Sequence, residues 1–461
     1  MVELTTASAH DVSILSFLVT SERFEQKSYE LAATVAEINI YEHVDIPFLT
    51  ATALIIDTAD ILNLVNFQGT EKVRIRVKLF GDPTALEVEK NFIVTDIQAV
   101  APGGDTTEGL SLNLLEDHAY LDRLNVVSKA YSGKPEKIIE NLLMDNLKKE
   151  ITNLKTKENQ KSTFEESSQP PIKIIVPNWS TLDTVRWVKD RTCTANSMPF
   201  FLYSTLNDDK LIMTNLAEML STPPINNPDR DYTFSQAYTR YSIEKTVLEQ
   251  SYIIQAYSLT KSEDMMGLIN NGTVSSEYNF IDTTIEQDPT HLDVNINMEQ
   301  ILEDMVSRNI ITDGTGPIYD KDFKLNEKTL AGHRPSVLSQ LVTSNTFPEH
   351  ANYYESPQLS EHRAKATARA LRHYLLKSPI DIVVPGYNFL GRGENTSIGR
   401  KIRLVFLKND QRLADAGKPG DEAKDKKRSG VYLIYAARHV IRPERYDVSM
   451  TCAKLANLEE T

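Results

Sequence analysis

Three segments near the N-terminus, each with the two-residue period of a half-buried strand, return in the same order near the C-terminus. The first is Val73–Phe80 (VRIRVKLF), with Val73, Ile75, Val77 and Leu79 on one side and Arg74, Arg76 and Lys78 on the other. Period two means one buried and one wet face. Its counterpart is Lys401–Leu407 (KIRLVFL). The second, Phe92–Val100 (FIVTDIQAV), matches Tyr432–Val440 (YLIYAARHV), nine residues against nine. The third, Leu110–Leu114 (LSLNL), matches Val448–Cys452 (VSMTC). The gap after the second segment is similar in both copies. The gap after the first is longer in the C-terminal copy, where charged Lys408–Arg428, with Gly417, Pro419 and Gly420, has the composition of an inserted surface loop. Any two antiparallel sheets share patterns of this kind, but the common order and one shared spacing favour a duplicated β domain, with the middle of the chain as insertions and a bridge.

The sequence around the repeat fits that outline. Tyr29–Tyr41 and Phe48–Ile56 also have extended character, and turns are predicted at Gly81-Asp82-Pro83 and Pro102-Gly103-Gly104-Asp105. Residues 1–125 therefore read as an antiparallel barrel or sandwich. The pattern changes at Pro135, which suits a first helical turn, followed by Ile138, Ile139, Leu142, Leu143 and Leu147 at helical spacing. Thr152–Pro171 is polar and loop-like, and Ile172–Val176 is a short strand. Ser180 and Asp183 form a variant capping box for a second helix carrying Leu182, Val185, Trp187 and Val188. Phe200–Ser204 and Lys210–Thr214 flank a turn at Asn207-Asp208-Asp209 and predict a hairpin. A small α+β domain over 126–233 follows, with a linker at Pro223–Pro228. Strands are expected over Tyr241–Ser258, a helix near Met298–Arg308, and a helix capped by Ser360 running to about Lys377, with Arg363, Lys365, Arg369 and Arg372 on a solvated face.

Composition removes several classes. The 461 residues suggest about three domains at roughly 150 residues each. Fifty Lys+Arg against 64 Asp+Glu leave a net charge of −14, which disfavours a nucleic-acid coat or an anionic-membrane binder. No apolar run is long enough for a transmembrane helix, and Met1–Thr20 lacks the Lys or Arg of a signal peptide. Cys193 and Cys452 make no disulfide framework and no zinc site by themselves.

The sequence carries no recognisable catalytic motif. No phosphate-binding P-loop and no nucleophile elbow occur. Gly391-Arg392-Gly393 with Gly399 lacks dinucleotide spacing and reads as a turn needing positive φ. Glu116-Asp117-His118 is the densest ligand-like group, and solvated surface is its simpler explanation. His362 and His373 share a predicted helix but stand about 16 Å apart along it, too far for one ion. Carboxylates are plentiful and none forms a distinguished pair. The expectation is no enzyme, no catalytic, cofactor-binding or metal residue, no cofactor, and an interface whose residues stay unassigned.

Several stretches resemble a known family. Asn178-Trp179-Ser180-Thr181-Leu182, Val384-Pro385-Gly386-Tyr387-Asn388-Phe389-Leu390-Gly391, and the closing Ser429-Gly430-Val431-Tyr432-Leu433-Ile434, Arg438-His439-Val440 and Tyr446–Met450 are similar to the baseplate central hub of contractile-tailed bacteriophages. The N-terminal hub part of the VgrG spike proteins of type VI secretion is similar too. The resemblance implies a mainly β fold with two similar tail-tube-like antiparallel β-barrels and two inserted smaller domains: first barrel 1–125, α+β insert 126–233, second barrel 234–260 and 380–461, mixed insert 261–379. It further implies a virion protein of the tail baseplate, assembled in the host bacterial cytoplasm, whose homotrimer presents six barrels and joins a trimeric spike to a hexameric tail tube. Partners would be the spike, the tail tube or its initiator, and baseplate wedge proteins, without membrane or nucleic-acid binding. Acidic charge would suit a lumen that does not grip DNA, and plain solubility explains it equally well. No lysozyme-like or needle segment follows Cys452, so the spike is expected to be a separate polypeptide. The alternatives are a tube initiator or adaptor with a tube-like barrel, or a tail-associated cell-wall hydrolase.

Overall fold

The structure is a computed structural model. It describes residues 8–21, 23, 27–58, 60–80, 84–102, 107–152, 172–190, 192–194, 196–226, 229–234, 246–259, 265–270, 274–282, 290–297, 300–301, 303, 307, 323–333, 337–342, 347–348, 359–375, 379–392, 395–408, 424–425 and 428–456.

The first part of the chain supplies β1 (Val12–Ser21), β2 (Lys27–Glu30), β3 (Val35–His43), β4 (Thr50–Asp57), the short helix α1 (Ile61–Val65), β5 (Lys72–Leu79), β6 (Val88–Pro102) and β7 (Glu108–Glu116). In β5 the expected alternation holds: Val73, Ile75, Val77 and Leu79 are buried, and Arg74, Arg76 and Lys78 are not. Helix α2 (Asp117–Leu124), β8 (Val126–Val127), β9 (Ala130–Gly133), α3 (Pro135–Leu147), β10 (Ile151–Thr152), β11 (Ile172–Ile175), β12 (Trp179–Ser180), α4 (Thr181–Asp190), β13 (Phe200–Thr205), β14 (Asp208–Asn215) and α5 (Leu216–Ser221) follow. Pro135 opens α3 as predicted, and Ile138, Ile139, Leu142, Leu143 and Leu147 are its buried stripe. The Ser180 hydroxyl accepts from the Asp183 amide at 3.2 Å, so the cap on α4 forms. These elements enclose a second apolar core, with Val185 and Val188 of α4 against Leu202 and Met213 of the hairpin.

The rest comprises β15 (Tyr232–Phe234), α6 (Val247–Gln250), β16 (Ala256–Leu259), α7 (Met265–Asn270), β17 (Ser275–Asp282), β18 (Thr290–Asn297), β19 (Lys324–Leu325), β20 (Lys328–Thr329), β21 (Val337–Val342), β22 (Phe347–Pro348), α8 (Leu359–Tyr374), β23 (Pro379–Pro385), β24 (Lys401–Phe406), β25 (Gly430–Arg442) and β26 (Arg445–Ala456). Two expectations need correction. The strand expected over Tyr241–Ser258 contains α6, because Thr246 and Glu249 form a full capping box; residues 241–245 fall outside the described residues, and among the rest the strand is Ala256–Leu259. Ser360 does not cap α8 but lies inside it. The turns at 81–83 and 103–105, the bulk of the 408–428 loop and most of the helix expected near 298–308 fall outside the described residues.

The main sheet runs β16-β23-β26-β25-β3-β4-β7-β6-β5-β1-β2, with β24 paired to β25 and β15 to β24. Both expected β regions thus lie in one continuous hydrogen-bonded sheet. Within it the repeat extends to backbone register. Phe92↔Glu116, Ile93↔Leu115, Val94↔Leu114, Asp96↔Asn113 and Ile97↔Leu112 in β6–β7 are matched pair for pair by Tyr432↔Lys454, Leu433↔Ala453, Ile434↔Cys452, Ala436↔Thr451 and Ala437↔Met450 in β25–β26. Each ladder carries a bulge at the same place, Thr95 in one and Tyr435 in the other. A bulge moves every later side chain to the other face, so a shared bulge is a far narrower coincidence than a shared alternation. The match continues outward: Lys72↔Ile93 and Val73↔Phe92 correspond to Lys401↔Leu433 and Ile402↔Tyr432, and Ala53↔Leu112 corresponds to Ile382↔Met450. The copies differ in a second bulge of β6, between Ile97 and Ala99, that β25 lacks, and at one end, where β1 is antiparallel to β5 and β15 is parallel to β24.

Candidate assembly surface

The residues that carry chemistry elsewhere serve packing here. Glu116 is buried, accepts from the Leu49 amide at 2.8 Å and the Ser204 hydroxyl at 3.1 Å, and so ties the sheet to the β13–β14 hairpin. The His118 ring donates through Nε2 to the Pro47 carbonyl at 2.7 Å. No group of three or more His, Cys, Asp or Glu side chains that could hold a metal occurs among the described residues. Cys193 and Cys452 are both free and buried, and burial pushes the Cys452 thiol well above its usual range. Gly391 has φ +67° and a Cβ there would lie 2.3 Å from the Leu86 carbonyl oxygen, which makes it the turn glycine the sequence suggested. No helix of the described residues is long and apolar enough to cross a membrane.

Two charged clusters that sequence reasoning missed tie distant segments together. Arg372 was expected on a solvated face of α8. Instead its guanidinium donates to Asp190 at 2.6 Å and to the Phe200 carbonyl at 2.6 Å, contacts Asp45 at 3.3 Å, and lies over the Phe201 ring. Lys189 is fully buried beside it and bonds Asp45. Burial first, and then the neighbouring Arg372 charge, holds the Lys189 ammonium below its ordinary range, against the pull of Asp45 and Asp190. A cleft of about 360 Å³ adjoins this cluster, walled by Ile46, Phe48, Leu115 and Val185. In the second cluster Glu42 of β3 faces His439 of β25 at 3.2 Å and accepts from the Leu206 amide, while His439 Nδ1 meets the Tyr446 hydroxyl at 2.7 Å. Burial alone would raise the Glu42 carboxyl; His439, the Ser397 hydroxyl and the Leu206 amide together outweigh it and hold it low.

The geometry that bears on assembly lies at the strand edges. β25 fills one edge twice. Gly430–Leu433 on that edge pair with β24, and Ala436–Ile441 pair with β3. This second contact is the junction between the two copies. Ile38, Ile40, Ala437 and Ile441 are buried there. Burying an Ile is worth roughly 1.5–3 kcal/mol, whereas the partly exposed Arg438–Glu37 pair over it is worth about 1 at most, so among these contacts apolar packing contributes more to the junction than the surface pair. β6, the counterpart of β25, fills only half of the same edge. Val88–Ile93 pair with β5, and no described strand pairs beyond them on that side. Among the described strands, β16, the counterpart of β3, has only β23 beside it. Its Leu259 is 48% exposed, although the corresponding Ile40 of β3 is fully buried.

No protein-family model matches the chain, and no curated protein matches it in sequence. Among solved structures it is similar to the tail protein from Neisseria meningitidis MC58, with a TM-score of 0.50 and 12% identity over 95% of this chain and 97% of that one. The 43 kDa tail protein of prophage MuSo2 from Shewanella oneidensis gives a TM-score of 0.49 at 8% identity over 95% and 98%. A chain of the Francisella PdpA-VgrG complex gives 0.44 at 8% over 99% of this chain and 55% of that one. Across nearly its whole length, the chain has the fold of the Neisseria tail protein.

Proposed function

We propose that the chain is a structural, non-catalytic hub at the centre of a phage tail baseplate, a homotrimer that joins a trimeric spike to a hexameric tail tube. The observation that carries the reading is the register match between β5-β6-β7 and β24-β25-β26, bulge included. A chain with two equivalent sheet units, arranged as a closed trimer, presents six units around a three-fold axis. That resolves the mismatch between a three-fold and a six-fold partner without a separate adaptor. The fold shared with a tail protein supports the same placement. In this reading residues 1–125 form one tube-like barrel and 234–260 with 380–461 the other, while 126–233 and 261–379 are inserts facing baseplate wedge proteins.

Light scattering on the purified full chain tests it. Three chain masses are expected; six would point to a tube initiator or adaptor instead. Peptidoglycan should not be turned over, and robust hydrolysis abolished by one carboxylate substitution would overturn the non-enzymatic reading.

A further inference from the structure

The junction inside the chain is a template for a junction between chains. β25 meets β3 edge to edge, antiparallel, through His439↔Ile40, Val440↔Asn39 and Ile441↔Ile38. Among the described residues, no strand pairs with the same two edges of their counterparts, β6 and β16. Correspondence of position follows from their other neighbours. β6 has a second bulge between Ile97 and Ala99, after which Val100 and Ala101 pair with Leu110 and Gly109. In the other copy His439 and Val440 pair with Val448 and Asp447. Val100 and Ala101 therefore stand where His439 and Val440 stand. On the other strand, Ser258 and Leu259 pair with Asp381 and Ile380 as Asn39 and Ile40 pair with Thr52 and Ala51. Ser258 and Leu259 stand where Asn39 and Ile40 stand.

We propose that the open edge of β6 accepts β16 of a second copy of this chain, antiparallel, with Val100 opposite Leu259 and Ala101 opposite Ser258. The occupant is a second copy because the matching edge exists on this same chain, in the same sheet: β16 ends the sheet, and the half of β6 beyond β5 has no described strand beside it. The contact is head-to-tail, since β6 of one copy meets β16 of the next, and such contacts close into rings when the rotation permits. It buries Leu259 as Ile40 is buried internally, and removes two unpaired edges that invite uncontrolled association. The pairing deepens the hub reading and rests on it for the number of copies, but not for the identity of the edges.

The test is disulfide trapping in the full chain. Two double variants are made, Val100→Cys with Leu259→Cys, and Ala101→Cys with Ser258→Cys. Successive antiparallel pairs alternate between wide and close spacing, so one of the two suits a disulfide. Native Cys193 and Cys452 are buried and do not compete. Each variant is first required to melt with the parent, so that failure to fold is not mistaken for failure to pair. The expected result is a covalent trimer on a non-reducing gel from at least one double variant. An equal mixture of the two single variants of that pair, assembled together, should stop at covalent dimers. A trimer by light scattering with no cross-link from either pair would overturn the edge assignment and leave the hub reading standing. Cross-linked species whose closed ring is not three would keep the edges and remove the hub stoichiometry. A monomer without cross-links would overturn both.

Discussion

The ring of Tyr446 lies against Gly386 so closely that a Cβ added to the glycine would come 1.9 Å from Tyr446 Cδ1. Tyr446 is fully buried, and its hydroxyl meets His439, so the ring has nowhere to retreat. Gly386 sits just after β23, in the Val384–Gly391 stretch. Gly386→Ala is expected to cost about 1–3 kcal/mol through overpacking. A thermal melt indistinguishable from the parent would show that the ring moves aside without cost.

Glu71 offers a pH test. Its buried carboxylate accepts from the amides of Gln68 at 2.9 Å, Gly69 at 3.1 Å and Thr70 at 3.2 Å, and from Arg23 at 2.5 Å. Burial pushes its pKa up, but the amides and Arg23 outweigh burial and hold it below the ordinary value. A depressed folded value means the stabilisation is fully present above the unfolded value of about 4.3 and is lost as pH falls through the folded value. Glu71→Gln should therefore lower stability by about 1.5–3 kcal/mol near neutrality. The gap between parent and variant should close below about pH 4 in denaturant titrations, and a gap that widened on acidification would refute the assignment.

Arg372 is predicted to fasten α8 to the sheet and to the second core. Arg372→Met removes its bonds to Asp190, Asp45 and the Phe200 carbonyl, at a cost of about 1.5–3 kcal/mol. Protease cleavage should appear first within 359–374, before global unfolding. An unchanged digestion pattern would mean that the apolar face of α8, with Ala366, Ala370 and Leu371 buried, holds it unaided.

Neither cysteine should react with an aromatic disulfide reagent in the native state. Both are 0% exposed, and burial keeps Cys452 a thiol rather than a thiolate. Two equivalents should appear on denaturation, at the rate of unfolding. Fast native labelling of Cys452 would show that the β23–β26 ladder opens locally.

Local patterns were legible where local physics decides. The β5 alternation, the Pro135 start of α3, the Ser180 cap and the three repeated segments all follow from period and capping chemistry. Thr246 and Glu249 carried the capping-box signal of α6, but the apolar residues after them read as strand. Arg372 looked solvated because an Ala-rich helix shows its arginines on a polar stripe; its partners Asp45 and Asp190 lie far away in sequence. The same limit hid the β25–β3 junction. A strand's pattern reports which face is buried and not which strand lies alongside it.

The β25–β3 ladder also has a mechanical meaning. Its six register pairs, Ala436↔His43 through Ile441↔Ile38, couple the C-terminal copy to the N-terminal one without passing through the hundreds of residues between them in sequence. A pull along those strands loads the backbone hydrogen bonds in parallel shear, so all must yield together rather than one at a time. Tension applied to one copy is thus delivered to the other stiffly and at once.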